Sequence, residues 1–218
     1  MVRTRPRPTA PTALVRNQKA WTKRCQSRSG ADWATRKAKL TLIGPLLEMT
    51  WGKCAYCESQ LGVQVFAQIE HYVSRHVAPH RAFEWSNLFP VCEICNNSKR
   101  HTDHSGALLK PDNEDPEDFF WIGPEGEITP RPGLTPESAA RAAETIRLCD
   151  LNRADLQEAR QDVANALRDW LSSGSPAQWE RLSHPRHEYK LVIRHILTIH
   201  NQPDLAAFDR RRFQTGNY

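Results

Sequence analysis

Three stretches decide how this chain folds: KCAYCES at residues 53–59, QIEHYVSRH at 68–76 and WSNLFPVCEICNNSK at 85–99. Cys54 and Cys57 form one C-x-x-C knuckle and Cys92 and Cys95 a second, with 34 residues between them. Two cysteines three apart on a tight turn can both bring a thiolate to about 2.3 Å from one zinc ion, and two such turns complete a tetrahedron. Four sulfur ligands leave no open position, so the zinc implied here is structural. It closes the two ends of the intervening segment onto each other.

What that segment carries points to chemistry. The run VFAQIEH at residues 65–71 suits a strand whose end presents Glu70 and His71. Asn87 sits in a loop, and Asn96 to Lys99 suit the first turn of a helix after the second knuckle. Strand, loop, strand and helix around a zinc make a compact ββα unit. Phosphodiester hydrolysis needs a base for water, a divalent cation for the leaving and non-bridging oxygens, and cations to hold the substrate. A near-neutral imidazole, His71, is suited to the first task. A carboxylate and an amide oxygen, Glu70 and Asn96, suit Mg²⁺ or Mn²⁺ as hard ligands for the second. Lys99 and Arg100 are candidates for nucleic-acid binding.

These motifs resemble the HNH endonuclease family through Cys54, Cys57, Glu70, His71, Asn87, Cys92, Cys95, Asn96 and Lys99. The resemblance covers residues 51–100 and implies a general base at His71 and a loop residue, Asn87, that holds the imidazole in position. It also implies a catalytic divalent metal on Glu70 and Asn96. The last histidine of the family name is here Asn96, and the position four residues on is Arg100, which cannot bind a metal. A narrower resemblance runs further along the chain, through LLKPDNEDPEDFF (108–120) and IRLCDLNRADLQEAR (146–160). It is to the small HNH proteins of Septu and retron-associated anti-phage systems, the PtuB-like proteins. That resemblance implies a nuclease subunit working beside an ATPase, PtuA-like, with DNA favoured over RNA as substrate. The competing readings are a zinc module that only binds nucleic acid or a partner, and an RNA-cleaving HNH enzyme. A plain zinc module gives no reason for Glu-His at a strand end.

The remainder of the chain frames this unit. Residues 1–53 carry 12 Lys/Arg against 2 Asp/Glu, and the rest 18 against 23, so the overall charge of +5 hides a basic front. A front of that sign suits an acidic polymer. Residues 1–12, rich in Pro and Arg, are expected as a disordered basic arm, and 13–50 as basic helices, with Asp32 capping a helix that carries Trp33 and Gly44-Pro45 breaking it. Residues 51–101 are the zinc-bound module. Residues 102–134 are acidic and rich in Pro and Gly, which predicts a loop with little regular structure. Residues 135–218 are expected to be helical, with caps at Thr135 and Asn152 and starts at Pro176 and Pro185. The fold class expected is α+β and mostly helical, a small zinc-stapled ββα module flanked by helices on both sides.

No stretch of 18 apolar residues suggests a membrane span. The front end lacks the apolar core of a secretory signal. The expectation is therefore a cytoplasmic protein whose six cysteines stay reduced. Cys25 and Cys149 lie outside the knuckles and read as small hydrophobes. His76, His80, His101 and His104 read as surface residues near the module. Trp85 is expected to pack the loop of Asn87, and Trp170 to fill a helical core. Trp179 and Phe208 are the aromatic candidates for a partner surface, and Arg210–Arg212 a solvated end.

Overall fold

The computed structural model describes residues 1, 4–27, 36–62, 65–100, 104 and 106–215. Asp32, Trp33, Val63 and His101 lie outside the described residues, as does the side chain of Arg212. The architecture is mostly helical with two small antiparallel sheets, as the fold class expected. α1 (Thr12–Ser27) and α2 (Arg36–Met49) lead into the first knuckle. β1 (Gln68–His71) and β2 (Leu88–Val91) then pair antiparallel, with Glu70 opposite Phe89 and His71 opposite Leu88. α3 (Glu93–Lys99) completes a ββα unit. Its first turn is the second knuckle itself: Cys92 is the N-cap, and its sulfur accepts the Cys95 N–H at 3.4 Å.

The helices in front serve as walls for this unit. Leu42, Leu46 and Met49 of α2 are buried in a core shared with Phe89 and Val91 of β2. α2 runs through Pro45, contrary to the break expected at Gly44-Pro45. A proline inside a helix costs about 3 kcal/mol for its missing N–H and its clash. Burial of Leu46 and Met49 beyond it favours continuing the helix and offsets that cost. α1 backs the loop between β1 and β2: Trp21 packs on Phe83 with ring centroids 5.3 Å apart, and the Gln18 amide donates to the Phe83 carbonyl at 3.0 Å.

The proline- and arginine-rich front is ordered where it is described. Arg7 donates to the Trp85 and Leu88 carbonyls at 2.8 and 3.0 Å and pairs with Asp112, while Trp85 Nε1 donates to the Pro8 carbonyl at 2.8 Å. The expectation of a disordered arm fails because its binding groups are the arginines themselves, whose partners lie more than 70 residues away. Trp85 packs as expected of it, but against this arm.

The acidic 102–134 segment is also more regular than its composition predicts. α4 (Pro116–Phe119), capped by Asp115, runs straight into a hairpin of β3 (Phe120–Ile122) and β4 (Ile128–Pro130). The hairpin tip is pressed onto the next helix. A Cβ on Gly126, at φ +77°, would stand 2.3 Å from the Gln157 carbonyl oxygen, so only glycine fits there. Asn152, expected as a helix cap, instead fastens this hairpin: its Oδ1 accepts the Ile128 N–H and its Nδ2 donates to the Ile128 carbonyl, at 2.7 and 2.8 Å.

The C-terminal helices are α5 (Pro136–Leu148), α6 (Ala154–Ser173), α7 (Pro176–Ser183), α8 (Lys190–Ile199) and α9 (Pro203–Thr215). Thr135 caps α5 and Pro176 opens α7 as expected, and Gly174 ends α6 in a left-handed conformation. Pro185 opens no helix; α8 begins five residues later, because residues 184–189 form turns first. Trp170 and Trp179 stack at 4.6 Å, so Trp179 closes the chain's own core and is not a free partner residue. Phe208 does remain exposed. Arg210, expected as a solvated end, forks onto Glu117.

The helices are joined to the module by buried charge. Lys53 donates to the His187 carbonyl at 3.0 Å, and Glu58 accepts the Leu191 N–H at 3.3 Å. Further in, Asp209 of α9 pairs with both Lys190 and Arg194 of α8, and all three are essentially inaccessible to solvent.

Candidate metal centre and active site

The four knuckle cysteines are buried, and their sulfur atoms all lie within 4.8 Å of one another. Cys57 Sγ and Cys92 Sγ are 3.8 Å apart. A tetrahedron with metal–sulfur bonds of about 2.3 Å has edges of about 3.8 Å, so the cluster has the dimensions of a zinc site. Its donors are held independently of any ion. Cys54 N–H donates to the Ser59 carbonyl at 2.9 Å, and Ala55 N–H donates to the Pro90 carbonyl at 2.9 Å, tying the first knuckle to β2 beside the second. Burial raises the Cys54 thiol, while hydrogen bonds from Cys54 and the neighbouring cysteines lower Cys57. A cation bound by these four sulfurs would displace their protons to solvent. Arg153 stands 3.9 Å from Cys95 Sγ. Burial works against its charge, but the Cys95 and Cys57 sulfurs outweigh burial and raise its pKa. A four-thiolate zinc would carry net negative charge, which this guanidinium would offset. Sequence reading missed Arg153, which comes from 58 residues away.

β1 and α3 interlock through polar side chains. Two residues one helical turn apart, Asn96 and Lys99, meet two residues on one face of the strand, Gln68 and Glu70. The Asn96 amide donates to Gln68 Oε1 at 2.5 Å, which turns the Asn96 carbonyl oxygen into the atom available as a metal ligand. Lys99 Nζ donates to the Glu70 carboxylate and to the His71 and Tyr72 carbonyls at 2.7 and 2.9 Å. Burial raises the Glu70 pKa, and the Lys99 charge pulls against that rise. Lys99 is 1% exposed. It faces inward, so its expected role in nucleic-acid binding is replaced by a structural one: the C-terminal turn of a short helix must be anchored to the strand end. Arg100 is exposed.

His71 leaves the same strand on the other side and lies against the 73–82 loop. Its Nε2 lies 3.0 Å from the Ala82 carbonyl oxygen, an acceptor, so Nε2 carries the proton and Nδ1 the lone pair. Burial, reinforced by the charge of Arg75, pushes its pKa down to about 3, so the ring is neutral. Asn87 is buried and holds both ends of that loop. Its Oδ1 accepts the Val73 N–H at 2.7 Å, and its Nδ2 donates to the Val73 and Arg81 carbonyls at 3.0 and 3.2 Å. The carbonyls that Asn87 and His71 meet, of Arg81 and Ala82, are thus neighbours in the chain. The structure brings Glu70 to Lys99, Asn96 to Gln68, and His71 to the loop that Asn87 organises, along the length of β1.

Beside Asn96 opens a cavity of about 590 Å³, walled by α2 and β1. His76 and His80 are exposed, and Cys25 and Cys149 are buried, as their sequence context implied.

A four-cysteine cluster stapling a β-hairpin to a helix, with Glu-His closing the first strand, is the ββα-metal arrangement of HNH nucleases, and residues 54–102 match the family model described as HNH endonuclease. The more particular likeness is to Septu protein PtuB. The protein of that name from Bacillus thuringiensis is 29% identical over 112 residues, covering 50% of this chain and 42% of that protein. The one from Bacillus mycoides (strain KBAB4) is 26% identical over 153 residues, covering 56% of this chain and 50% of that protein. The chain spans about half the length of the curated relatives it matches.

Proposed function

We propose that this chain is a metal-dependent HNH endonuclease that hydrolyses phosphodiester bonds of nucleic acid, with DNA the favoured substrate. The observation that carries the reading is the fixed tautomer of His71. An imidazole held neutral by burial, with Nε2–H bound to Ala82 O, presents Nδ1 as a base. In this reading Nδ1 takes the proton of the attacking water. Asn87 keeps the ring's carbonyl partner in place, and Lys99 opposes the burial-driven rise of the Glu70 pKa and holds its carboxylate stationary. Glu70 and the Asn96 carbonyl oxygen would hold Mg²⁺ or Mn²⁺, which supplies charge stabilisation to the leaving and non-bridging oxygens. Arg100, exposed after α3, would meet a phosphate in this reading. The zinc in the cysteine cluster has no open position and serves the fold alone.

The likeness to Septu protein PtuB supports a place in a Septu anti-phage defence system, as the nuclease subunit of a complex with a PtuA-like ATPase. None of the helices is long and apolar enough to cross a membrane among the described residues. A cytoplasmic complex acting on DNA accords with that.

The test is nicking of supercoiled plasmid with Mg²⁺ or Mn²⁺ by the wild type and by His71→Ala. The base contributes about 10²–10⁴-fold, so the variant should lose cleavage while keeping its zinc and its melting temperature. Cleavage by His71→Ala at the wild-type rate would end this assignment. Co-expression with a PtuA-like ATPase, followed by pull-down, tests the complex. Separate elution with unaltered nuclease activity would leave a stand-alone enzyme.

A further inference from the structure

Apart from Asn96, the residues that line the cavity beside it are not among those proposed as base, metal or zinc ligands. It lies between α2 and β1, and its lining combines two cations with apolar side chains: Lys39, Leu40 and Ile43 from α2, Ile69 from β1, Arg75 from the loop, and Asn96 at its end. Leu40 is 63% exposed although Ala38, Leu42, Leu46 and Met49 of the same helix are buried. A large apolar side chain kept at a cavity mouth, off the core face of its helix, is available to a ligand. Arg75 lies close enough for its charge to act on both Glu70 and His71.

We propose that this cleft seats one unstacked nucleotide of the substrate strand next to the phosphate being cut, its base covered by Leu40, Ile43 and Ile69 and its phosphates held by Arg75 and Lys39. The proposal rests on the nuclease reading for which phosphate is cut, and on the cleft itself for what binds. A volume of about 590 Å³ falls in the range of about 300–1,000 Å³ that encloses a small ligand. A stacked duplex keeps its bases inside and cannot place one there, whereas a single strand, a bulge or a flipped base can. Extruded bases are held between aromatic or apolar side chains, with cations tracking the backbone. Continuity with Asn96 puts that nucleotide at the proposed catalytic metal. The stretch of sequence that contains α2, residues 1–53, carries a net charge of +10, the sign a nucleic acid requires. The consequence is a preference for unpaired over fully paired substrate, set by α2 and not by the ββα unit.

The experiment uses the full chain carrying His71→Ala, so that bound strands are not consumed. Fluorescein-labelled single-stranded DNA, the same sequence as a perfect duplex, and a duplex with a one-base bulge are titrated and followed by anisotropy. The single strand and the bulge should bind tighter than the duplex. Leu40→Ser, exposed and uncharged, should weaken the single strand by about fivefold or more and leave the duplex within about twofold. Arg75→Gln and Lys39→Gln should each flatten the salt dependence of single-strand binding, by about 0.7 in log–log slope. Equal affinity for duplex and single strand, or a Leu40→Ser variant indistinguishable from its parent on every probe, overturns the proposal. The nuclease reading is judged separately, by His71-dependent nicking. Loss of that activity alone leaves the cleft result standing, and an inert cleft leaves the nicking result standing.

Discussion

Lys99 and Glu70 form a buried ion pair that fastens the last turn of α3 to the end of β1, and the same ammonium also binds the carbonyls of His71 and Tyr72. One cation therefore fixes the strand residue proposed to hold the metal and the backbone of the residue proposed as the base. The arrangement ties the proposed catalytic geometry to helix packing, through a buried residue.

Lys99→Met should consequently behave as a core mutation. It leaves the Glu70 carboxylate buried without its cation, and breaking a buried pair from one side costs about 3–5 kcal/mol. Urea denaturation of the zinc-loaded chain should show that loss in full. The salt dependence of DNA binding should be unchanged, since Lys99 neutralises no phosphate. A reduced salt slope with undiminished stability would mean that Lys99 works at the surface after all.

Lys99 also marks where sequence reading stopped. Its type and its spacing from the second knuckle identified it as part of the unit, but its partners lie 27–29 residues away, and only the closed hairpin brings them to it. The knuckles were legible because each is local: three-residue spacing on a turn already defines half a metal site. The Thr135 cap and the Pro176 start were legible for the same reason. Arg7 and Arg153 were not, because a guanidinium that anchors an arm or faces a thiolate cluster has the same local sequence as one in solvent. Asn152 read as a helix cap because asparagine before a helix usually is one, and the hairpin that uses its side chain instead lies 24 residues earlier. The 102–134 segment misled through composition. Its acids are consumed as a cap at Asp115 and as a partner for two arginines at Glu117, and the short elements between them follow.

Removal of the structural ion should unfold the module. The cysteines link both knuckles to β2 and α3, and a zinc site of this kind contributes on the order of 10 kcal/mol at neutral pH. Elemental analysis should find one zinc per chain. Cys57→Ser, or a strong chelator on the wild type, should lower the cooperative unfolding transition and expose Cys54, Cys92 and Cys95 to thiol reagents. A folded, zinc-free chain with the wild-type melting temperature would show that the four sulfurs need no ion.

The two asparagines should separate kinetically. Asn96→Ala removes a proposed metal ligand that is half-buried and whose side-chain amide donates to Gln68, so stability should change little. The Mg²⁺ or Mn²⁺ concentration needed for half-maximal nicking should rise. Asn87→Ala removes three buried hydrogen bonds to the 73–82 loop. Leaving such groups unsatisfied costs about 1–3 kcal/mol each. It should lower both the melting temperature and the maximal rate, with the metal requirement unaltered. The same metal titration for both variants would erase the distinction drawn between ligand and positioner.

The charge cluster between α8 and α9 predicts the largest effect outside the module. Asp209 is the shared anion of Lys190 and Arg194, and all three are buried. Arg194 keeps Glu117 as a second partner, whereas Lys190 has the Leu182 carbonyl besides Asp209. Burial already pushes Lys190 down to about 8, against the pull of Asp209. Asp209→Asn removes that pull, so Lys190 should lose its proton at lower pH and its charged form should be strained at pH 7. The expected cost is about 3 kcal/mol or more, seen as a lower urea midpoint. Adding Lys190→Met should recover part of it, because the uncompensated cation is then gone. A double variant no more stable than Asp209→Asn alone would place the loss on the Arg194 side of the cluster.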